Sequence, residues 1–212
     1  KYKPVDHMML MNYKESQTGQ IIQEGISEAN SMATWIASGT SYSHTNCPTL
    51  PFYTFYSMFG FQRVGDQIWA ASDARCRGFL MAATAGRTTL NGEGLQHQDG
   101  HSLLHASTVP YCRAWDPAYA YELATIIRNG IEEMWGRDMD VFHYVMLYNQ
   151  NEQQPAKPEA VDEGIIKGAY QLSKAGKGNQ PIVRLLGSGP ILSHVREAAE
   201  KLSKLGVRTD VW

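Results

Sequence analysis

Three short stretches of this chain are apolar at nearly every position. They cover residues 50–56, 78–86 and 141–148, and each is of strand length. Continuous apolar runs of this length are typical of strands that are covered on both faces, whereas half-exposed strands alternate apolar and polar residues. We therefore predict three buried strands at these positions.

Between the strands, apolar residues recur at helical spacing. The pattern predicts a helix over about 20–38 and a second over about 61–75. A third helix is expected from Asp116–Pro117, an N-cap residue followed by proline at the first helical position. Helices that alternate with buried strands indicate an α/β fold with a mainly parallel sheet flanked by helices.

The last part of the chain repeats this pattern on a smaller scale. A Lys/Gly-rich break at about 174–180 is followed by a strand, a glycine turn, a helix and a second strand up to Trp212. Pro190 lies near the predicted helix start and Gly206 just past its end, as is typical of helix termini. We predict a domain boundary at residue 178, with residues 179–212 forming the beginning of a second α/β domain.

Composition excludes some partners. The net charge of −2 provides no basic surface for nucleic acid or an acidic membrane, and no apolar run approaches the roughly 20 residues that span a bilayer. Three widely spaced cysteines without a CxxC pair fit a reducing compartment. Since the chain opens on Lys1 and stops after a predicted strand, we expect it to be a piece of a larger protein.

Local pattern alone leaves the candidate site residues open. Glu28 lies in an otherwise apolar helical stretch, where a buried carboxyl would have a raised pKa, although a solvated helix-face glutamate is the commoner case. An aromatic cluster precedes Arg63 at a predicted strand-to-helix turn, where ligands bind in parallel sheets, although such clusters are usually core. The cluster consists of Phe52, Tyr53, Phe55, Tyr56, Phe59 and Phe61.

Two further loops carry polar candidates. The spacing of His97, Asp99 and His101 suggests a metal site but lacks an established ligand order, so His97 fits better as a proton donor or an anion contact. The Gly187–Gly189 turn lacks the lysine and the third glycine of phosphate loops. We interpret it as a plain strand-to-helix turn.

Taken together, these segments resemble the homodimeric type of bacterial pyruvate dehydrogenase, the decarboxylating component of its complex. The resemblance covers essentially the whole chain, and its most specific strings are YSMFGFQR (56–63) and GRTTLNGEGLQH (86–97). It implies a transketolase-like pyrimidine-binding domain over residues 1–178, with residues 1–16 as a mobile active-site loop. Residues 179–212 would be the first strand–helix–strand of the carboxy-terminal domain.

The resemblance also implies roles for individual residues. Glu28 would hydrogen-bond a ring nitrogen of the aminopyrimidine of thiamine diphosphate, and Tyr56 and Phe59 would contact that ring. His97 would lie near the reacting centre, with Glu93 as an acidic neighbour. Where the family has HEDGHSH, this chain has HQDGHSL, with Gln98 and Leu103 as the departures, which puts the fine tuning of this loop in doubt.

By the same resemblance, the whole protein would decarboxylate pyruvate and transfer the acetyl group to lipoyl domains of a dihydrolipoyl acetyltransferase core. It would act in the bacterial cytoplasm as a homodimer, in the glycolytic supply of acetyl groups. The family's GDG motif for diphosphate and magnesium is absent from these residues, so we expect no metal ligands here. Alternatives are another thiamine-diphosphate enzyme, such as a 2-oxo acid decarboxylase or ketol transferase, and a non-catalytic remnant.

Overall fold

The computed structural model describes residues 18–84 and 94–212 of the chain. The predicted loop over residues 1–16 and the candidate Glu93 lie outside these ranges. Helices and strands alternate along the described chain. The helices are α1 (Glu28–Gly39), α2 (Ser41–His44), α3 (Ser57–Asp73), α4 (Ser102–Ser107), α5 (Ala120–Ile131), α6 (Asp162–Lys167) and α7 (Ile191–Lys204); the strands are β1 (Phe52–Tyr56), β2 (Phe79–Ala83), β3 (Cys112–Trp115), β4 (Phe142–Met146), β5 (Ile182–Leu185) and β6 (Arg208–Val211).

Four strands form one sheet in the order β1-β2-β4-β3, and every neighbouring pair is parallel. Tyr56 lies opposite Ala83, and Ala82 lies opposite Met146, so the carboxyl ends of β1, β2 and β4 reach the same edge. The predicted α/β fold with a parallel sheet between helices is confirmed.

Alternate residues of the central strand β2 explain why it is apolar throughout. Leu80 and Ala82 pack into the layer formed by α1, α3 and α4, whereas Phe79 and Met81 pack against α5 and α6 on the other face. Burial of each large side chain stabilises the fold by roughly 1.5–3 kcal/mol. A polar residue on either face of β2 would therefore be costly.

A polar network with a buried histidine and a buried glutamate lies toward the amino end of β4. The Trp115 indole donates to His143 Nδ1 at 2.9 Å, and His143 Nε2 lies 3.3 Å from Glu133 Oε2. Because an indole nitrogen can only donate, His143 Nδ1 is the acceptor, and Nε2 lies beside the carboxylate without a formed hydrogen bond. Glu133 Oε1 also pairs with Arg113 at 2.8 Å and with Arg137 at 3.5 Å. We call Arg113, Trp115, Glu133, Arg137 and His143 the buried cluster.

The second sheet contains two parallel strands, β5 and β6, joined by α7. Leu192 of α7 and Val211 of β6 pack on Tyr119 of the larger unit. Ser173 forms an antiparallel bridge with Val211, so residues just before the predicted boundary already contact this sheet. The division of the chain at residue 178 stays a prediction.

The side chain of Asp116, the residue after β3 of the first sheet, contacts the turn that follows β5. Asp116 accepts the hydroxyl of Ser188 at 2.6 Å and the hydroxyl of Tyr148. Gly189 has a φ of +50°, and a Cβ there would lie 2.5 Å from both Asp116 and Tyr148. The turn connects the two sheets, in agreement with the strand-to-helix interpretation.

The first predicted helix begins later than expected. Residues 20–27 are not helical, and α1 starts at Glu28 because the Ser27 side chain accepts the Asn30 N–H at 3.4 Å and caps it. Gly25 precedes the cap at a φ of +72°, in the left-handed region. Ile22 and Ile26, which the pattern placed on a buried face, are exposed.

The helix predicted from Pro117 also begins later. Asp116 is not its N-cap; instead α5 starts at Ala120, because the Glu122 carboxylate accepts the backbone N–H groups of Ala118 and Tyr119 at 2.6 and 3.3 Å. Neither α4 nor β3 was predicted. Strand β3 is half-buried along its length and includes Arg113, so it lacks the apolar run that marks β2 and β4.

Helix α3 contains a change of direction. Val64 has φ −122° and ψ 20°, outside helical values, and therefore divides the helix into a first part before Val64 and a longer second part. Gly60 in the first part touches β1, since a Cβ there would lie 2.0 Å from the Phe55 ring. Within the described ranges, no helix is both long and apolar enough to cross a bilayer.

Candidate functional site

The candidate site begins where β1 passes directly into α3. Tyr56 is the last residue of β1, and Ser57 is the first residue of α3, with no loop between them. The site therefore lies at the carboxyl edge of a parallel sheet, where ligands of α/β proteins bind. Phe59 follows in the first turn of α3, so two aromatic residues are held by rigid elements.

Three rings meet at this edge. The centroids of Tyr56 and Phe59 are 5.6 Å apart, those of Phe59 and His97 are 5.5 Å apart, and those of Tyr56 and His97 are 5.8 Å apart. The Tyr56 hydroxyl lies 2.8 Å from His97 Nδ1, within hydrogen-bond distance. All three side chains are half-buried. They form an aromatic wall that a flat heterocycle can stack against.

Glu28 is joined to this wall through Arg63. Its Oε1 forms an ion pair with the Arg63 guanidinium, and that guanidinium lies 5.0 Å from the centre of the Phe59 ring. Arg63 follows Phe59 by four residues, so both project from the same face of α3. Glu28, Tyr56, Phe59, Arg63 and His97 therefore form one continuous set, which we call the site cluster.

The electrostatic setting of Glu28 differs from the sequence expectation. Glu28 is the first residue of α1 rather than a residue inside it, and 23% of its side chain is exposed. Its own backbone N–H, and then Arg63, lower the pKa of the carboxyl below its ordinary value, and together they outweigh the opposing effect of burial. The raised pKa that a fully buried carboxyl would have does not apply here, because the carboxylate is partly exposed at a helix N-terminus beside a cation.

The polar side chains after His97 form hydrogen bonds with other groups of this chain. Asp99 accepts the backbone N–H groups of His101 and Ser102, and His101 Nε2 lies 2.7 Å from the Gln62 amide. Among residues 18–84 and 94–212, no three His, Cys, Asp or Glu side chains are grouped as metal ligands. The metal interpretation of this loop therefore finds no support in the described side chains.

The structure thus brings together four of the five predicted site residues, Glu28, Tyr56, Phe59 and His97, from sequence positions up to 69 apart. Their roles stay predictions. Sequence reasoning missed Arg63 as the partner of Glu28 and Asp99 as a buried anchor. The spacing of four residues between Phe59 and Arg63 was the available signal for the first, since it places both on one helix face.

Solved structures place this fold among transketolase-like enzymes. Transketolase from Campylobacter jejuni superposes with a TM-score of 0.72 at 21% identity, over 90% of this chain and 27% of that one. A split-gene transketolase superposes with a TM-score of 0.60 at 18% identity, over 88% of this chain and 54% of that one. At these identities the likeness shows the fold, and the fold class is a transketolase-like α/β domain.

Sequence comparison then defines the family. Residues 1–155 match the family described as pyruvate dehydrogenase E1 component middle domain, and the chain belongs to this family. It is 58% identical over 212 residues to the pyruvate dehydrogenase E1 component of Pseudomonas aeruginosa, and 53% identical over 214 residues to that of Escherichia coli strain K12. Each match covers 100% of this chain and 24% of the relative, so the chain spans about a quarter of their length.

Proposed function

We propose that this chain forms the part of a pyruvate dehydrogenase E1 component that binds the aminopyrimidine ring of thiamine diphosphate. The observation that carries the proposal is the site cluster itself, in which a carboxylate and an aromatic wall meet at the carboxyl edge of the sheet. Family membership supports the same assignment. When bound, the cofactor supplies the electron sink that lets carbon dioxide leave a 2-oxo acid.

The described residues fit a flat, basic heterocycle. Tyr56 and Phe59 are held by β1 and α3, and their half-buried rings can stack against it. The ion pair with Arg63 uses Oε1 of Glu28, and a carboxylate has two acceptor oxygens, so the second can accept a hydrogen bond from a ring nitrogen.

The lowered pKa of Glu28 sets the direction of this proton contact. A carboxyl that stays ionised stabilises a proton on the ring nitrogen, whereas a neutral carboxyl would not. In the proposal, Glu28 holds that proton in place, and His97 orients the substrate or donates a proton at the reacting centre. Glu93, outside the described residues, would be a further acidic neighbour.

The remaining parts of the function lie beyond this set of residues. Since the described side chains include no metal-ligand group, we propose that diphosphate and magnesium are held by another domain, across a homodimer interface. The proposed reaction is oxidative decarboxylation of pyruvate in the bacterial cytoplasm, with acetyl transfer to lipoyl domains of the dihydrolipoyl acetyltransferase core. Another 2-oxo acid substrate is the principal alternative.

The test is a Glu28→Gln substitution in the full-length protein. We expect turnover of pyruvate at saturating cofactor to fall at least about 10²-fold, because the amide cannot hold the ring proton in the same way. The matched control is Glu163→Gln, which removes an exposed carboxylate that pairs only with Lys167 within the described chain. A rate near that of the unmodified protein would contradict the proposed role, and turnover of a different 2-oxo acid alone would reassign the substrate.

A further inference from the structure

The turn that carries His97 has one buried residue. Of residues 94–100, only Asp99 is buried, and its carboxylate is 0% exposed, whereas Leu95 is 82% exposed. Apolar packing therefore does little to hold this turn. The position of the turn depends on hydrogen bonds, and its one fully buried side chain is the carboxylate of Asp99.

Asp99 ties the turn to α4. Its Oδ1 accepts the backbone N–H groups of His101 and Ser102 at 3.1 and 3.0 Å, and its Oδ2 accepts the Ser102 hydroxyl. The Ser102 hydroxyl oxygen also lies 3.6 Å from the Met146 sulfur at the carboxyl end of β4. The carboxylate thus connects the turn to both the start of α4 and the edge of the sheet.

His101 extends the connection to α3. Its Nδ1 lies 3.6 Å from Asp99 Oδ1, and its Nε2 lies 2.7 Å from the Gln62 amide nitrogen. The same amide nitrogen donates to the Met58 carbonyl at 2.7 Å. Because an amide NH₂ group only donates, His101 Nε2 is the acceptor, and the remaining ring proton faces Asp99. The chain of contacts ends on the helical turn that carries Phe59.

We propose that Asp99 is a positioning residue for His97. Its buried carboxylate fixes the turn against α4 and, through His101 and Gln62, against α3, so that the His97 imidazole meets the Tyr56 hydroxyl. This inference rests on the proposed function only in assuming that His97 acts at the reacting centre. Asp99 itself contacts no substrate in the proposal, and its effect passes through the placement of the neighbouring ring.

The experiment uses the full-length enzyme with thiamine diphosphate and magnesium. Asp99→Ala is expected to lower kcat for pyruvate by about 10²-fold, the loss that a misplacement of about 1 Å can cause. Asp99→Asn, which still accepts the two backbone N–H groups, should recover most of that loss. In a His97→Ala background, Asp99→Ala should lower kcat by less than about threefold, since residues that act as one unit are not additive.

Glu122→Ala is the matched control. Glu122 is also a buried carboxylate that accepts two backbone N–H groups, of Ala118 and Tyr119, and a hydroxyl, that of Tyr170 at 2.5 Å. It lies at the start of α5, which follows β3, the strand at the opposite edge of the sheet from β1. The control should lower the melting temperature about as much as Asp99→Ala and leave kcat per folded molecule within about twofold, because local sites far apart act independently.

Three results would overturn the inference. An equal loss of kcat in Glu122→Ala would mean general destabilisation, and a full multiplicative loss in the His97→Ala background would mean that Asp99 acts independently of His97. The third is a crystal structure of Asp99→Ala in which His97 keeps its contact with Tyr56; if this variant does not fold, Gln62→Met, which removes the amide that His101 contacts, takes its place in both measurements. If His97 moves but kcat is unchanged, the role of His97 in the proposed function fails instead.

Discussion

The two ends of the four-stranded sheet hold clusters built from the same kinds of side chain. The site cluster at the carboxyl edge contains a glutamate, an arginine, a histidine and aromatic rings, and so does the buried cluster at the amino end. They differ in enclosure. Glu133 and His143 are almost completely shielded, whereas Glu28 and the rings around it are half-open.

The difference in burial changes which contacts set the pKa of each glutamate. Burial raises the pKa of Glu133, but the contacts with His143 and Arg113 outweigh it, so the net pKa lies below the ordinary value. The pKa of Glu28 is lowered mainly by a backbone N–H and by Arg63, with little burial to oppose them. Both carboxylates are ionised, but 23% of the Glu28 side chain is exposed, against 4% of the Glu133 side chain. The kinds of residue therefore do not identify the site. The site is identified by its position at the carboxyl edge of the sheet and by its exposure to a ligand.

The largest expected difference between the clusters is in stability. Glu133→Gln should lower the free energy of unfolding by about 2–4 kcal/mol, because it leaves buried partners of a carboxylate without their charge. Glu28→Gln, the same chemical change at the other end, should lower it by less than about 1 kcal/mol. Urea unfolding followed by tryptophan fluorescence measures both. Equal losses would mean that the two clusters are not distinguished by enclosure.

A smaller effect is expected from removing one hydrogen bond at each end. Tyr56→Phe removes the hydroxyl that meets His97, and Trp115→Phe removes the indole that donates to His143. A lost hydrogen bond of about 1 kcal/mol should reduce turnover about 3- to 10-fold in the first variant and leave turnover unchanged in the second. Steady-state kinetics measure the effect of each variant on turnover, and melting temperatures measure its effect on stability. A turnover loss in Trp115→Phe alone would reverse the assignment.

The smallest expected effect concerns pH. Arg63→Met removes a cation that lowers the pKa of Glu28, so that pKa should rise toward its ordinary value. Because the pKa of Glu28 is lower in the folded state than in the unfolded state, the ionised carboxylate stabilises the fold at a pH above its unfolded-state pKa. This contribution is lost as the pH falls through the folded-state pKa. The difference between the two proteins should therefore be at most about 1 kcal/mol at pH 7, and vanish once the pH falls below the lowered folded-state pKa of Glu28. A difference that grows on acidification would contradict the ion pair.

Strands β2 and β4 were predictable because they are covered on both faces, whereas β1, also predicted to be buried, lies at the edge of the sheet and leaves Phe52 48% exposed. The runs at 78–86 and 141–148 contain β2 and β4, whose every residue is buried or nearly so. Strand β3 was missed for the opposite reason, since Arg113 and half-burial interrupt the apolar pattern. The first helix was predicted to start eight residues before Glu28. Ile22 and Ile26 have the spacing of a buried helix face, although both are exposed.

The site was less accessible to sequence reasoning. Tyr56 and Phe59 could be placed at a strand-to-helix turn, but nothing local predicts that residue 97 reaches Tyr56 or that residue 63 reaches Glu28. Such contacts depend on the order of strands in the sheet. The pKa shift of Glu28 depends on where α1 begins, so the sequence pattern could predict a raised pKa only on the condition that the carboxyl is buried.

The irregular dihedral angles at Val64 divide α3 into two parts, and the first part serves both the site and the core. It carries Phe59, Gln62 and Arg63 at the site and Phe61 into the core, whereas the part beyond Val64 carries Ile68 into the core. A substitution before residue 64 that turns Phe59 therefore also disturbs the packing of Phe61. Changes of ligand preference that act through Phe59 are limited by this shared packing.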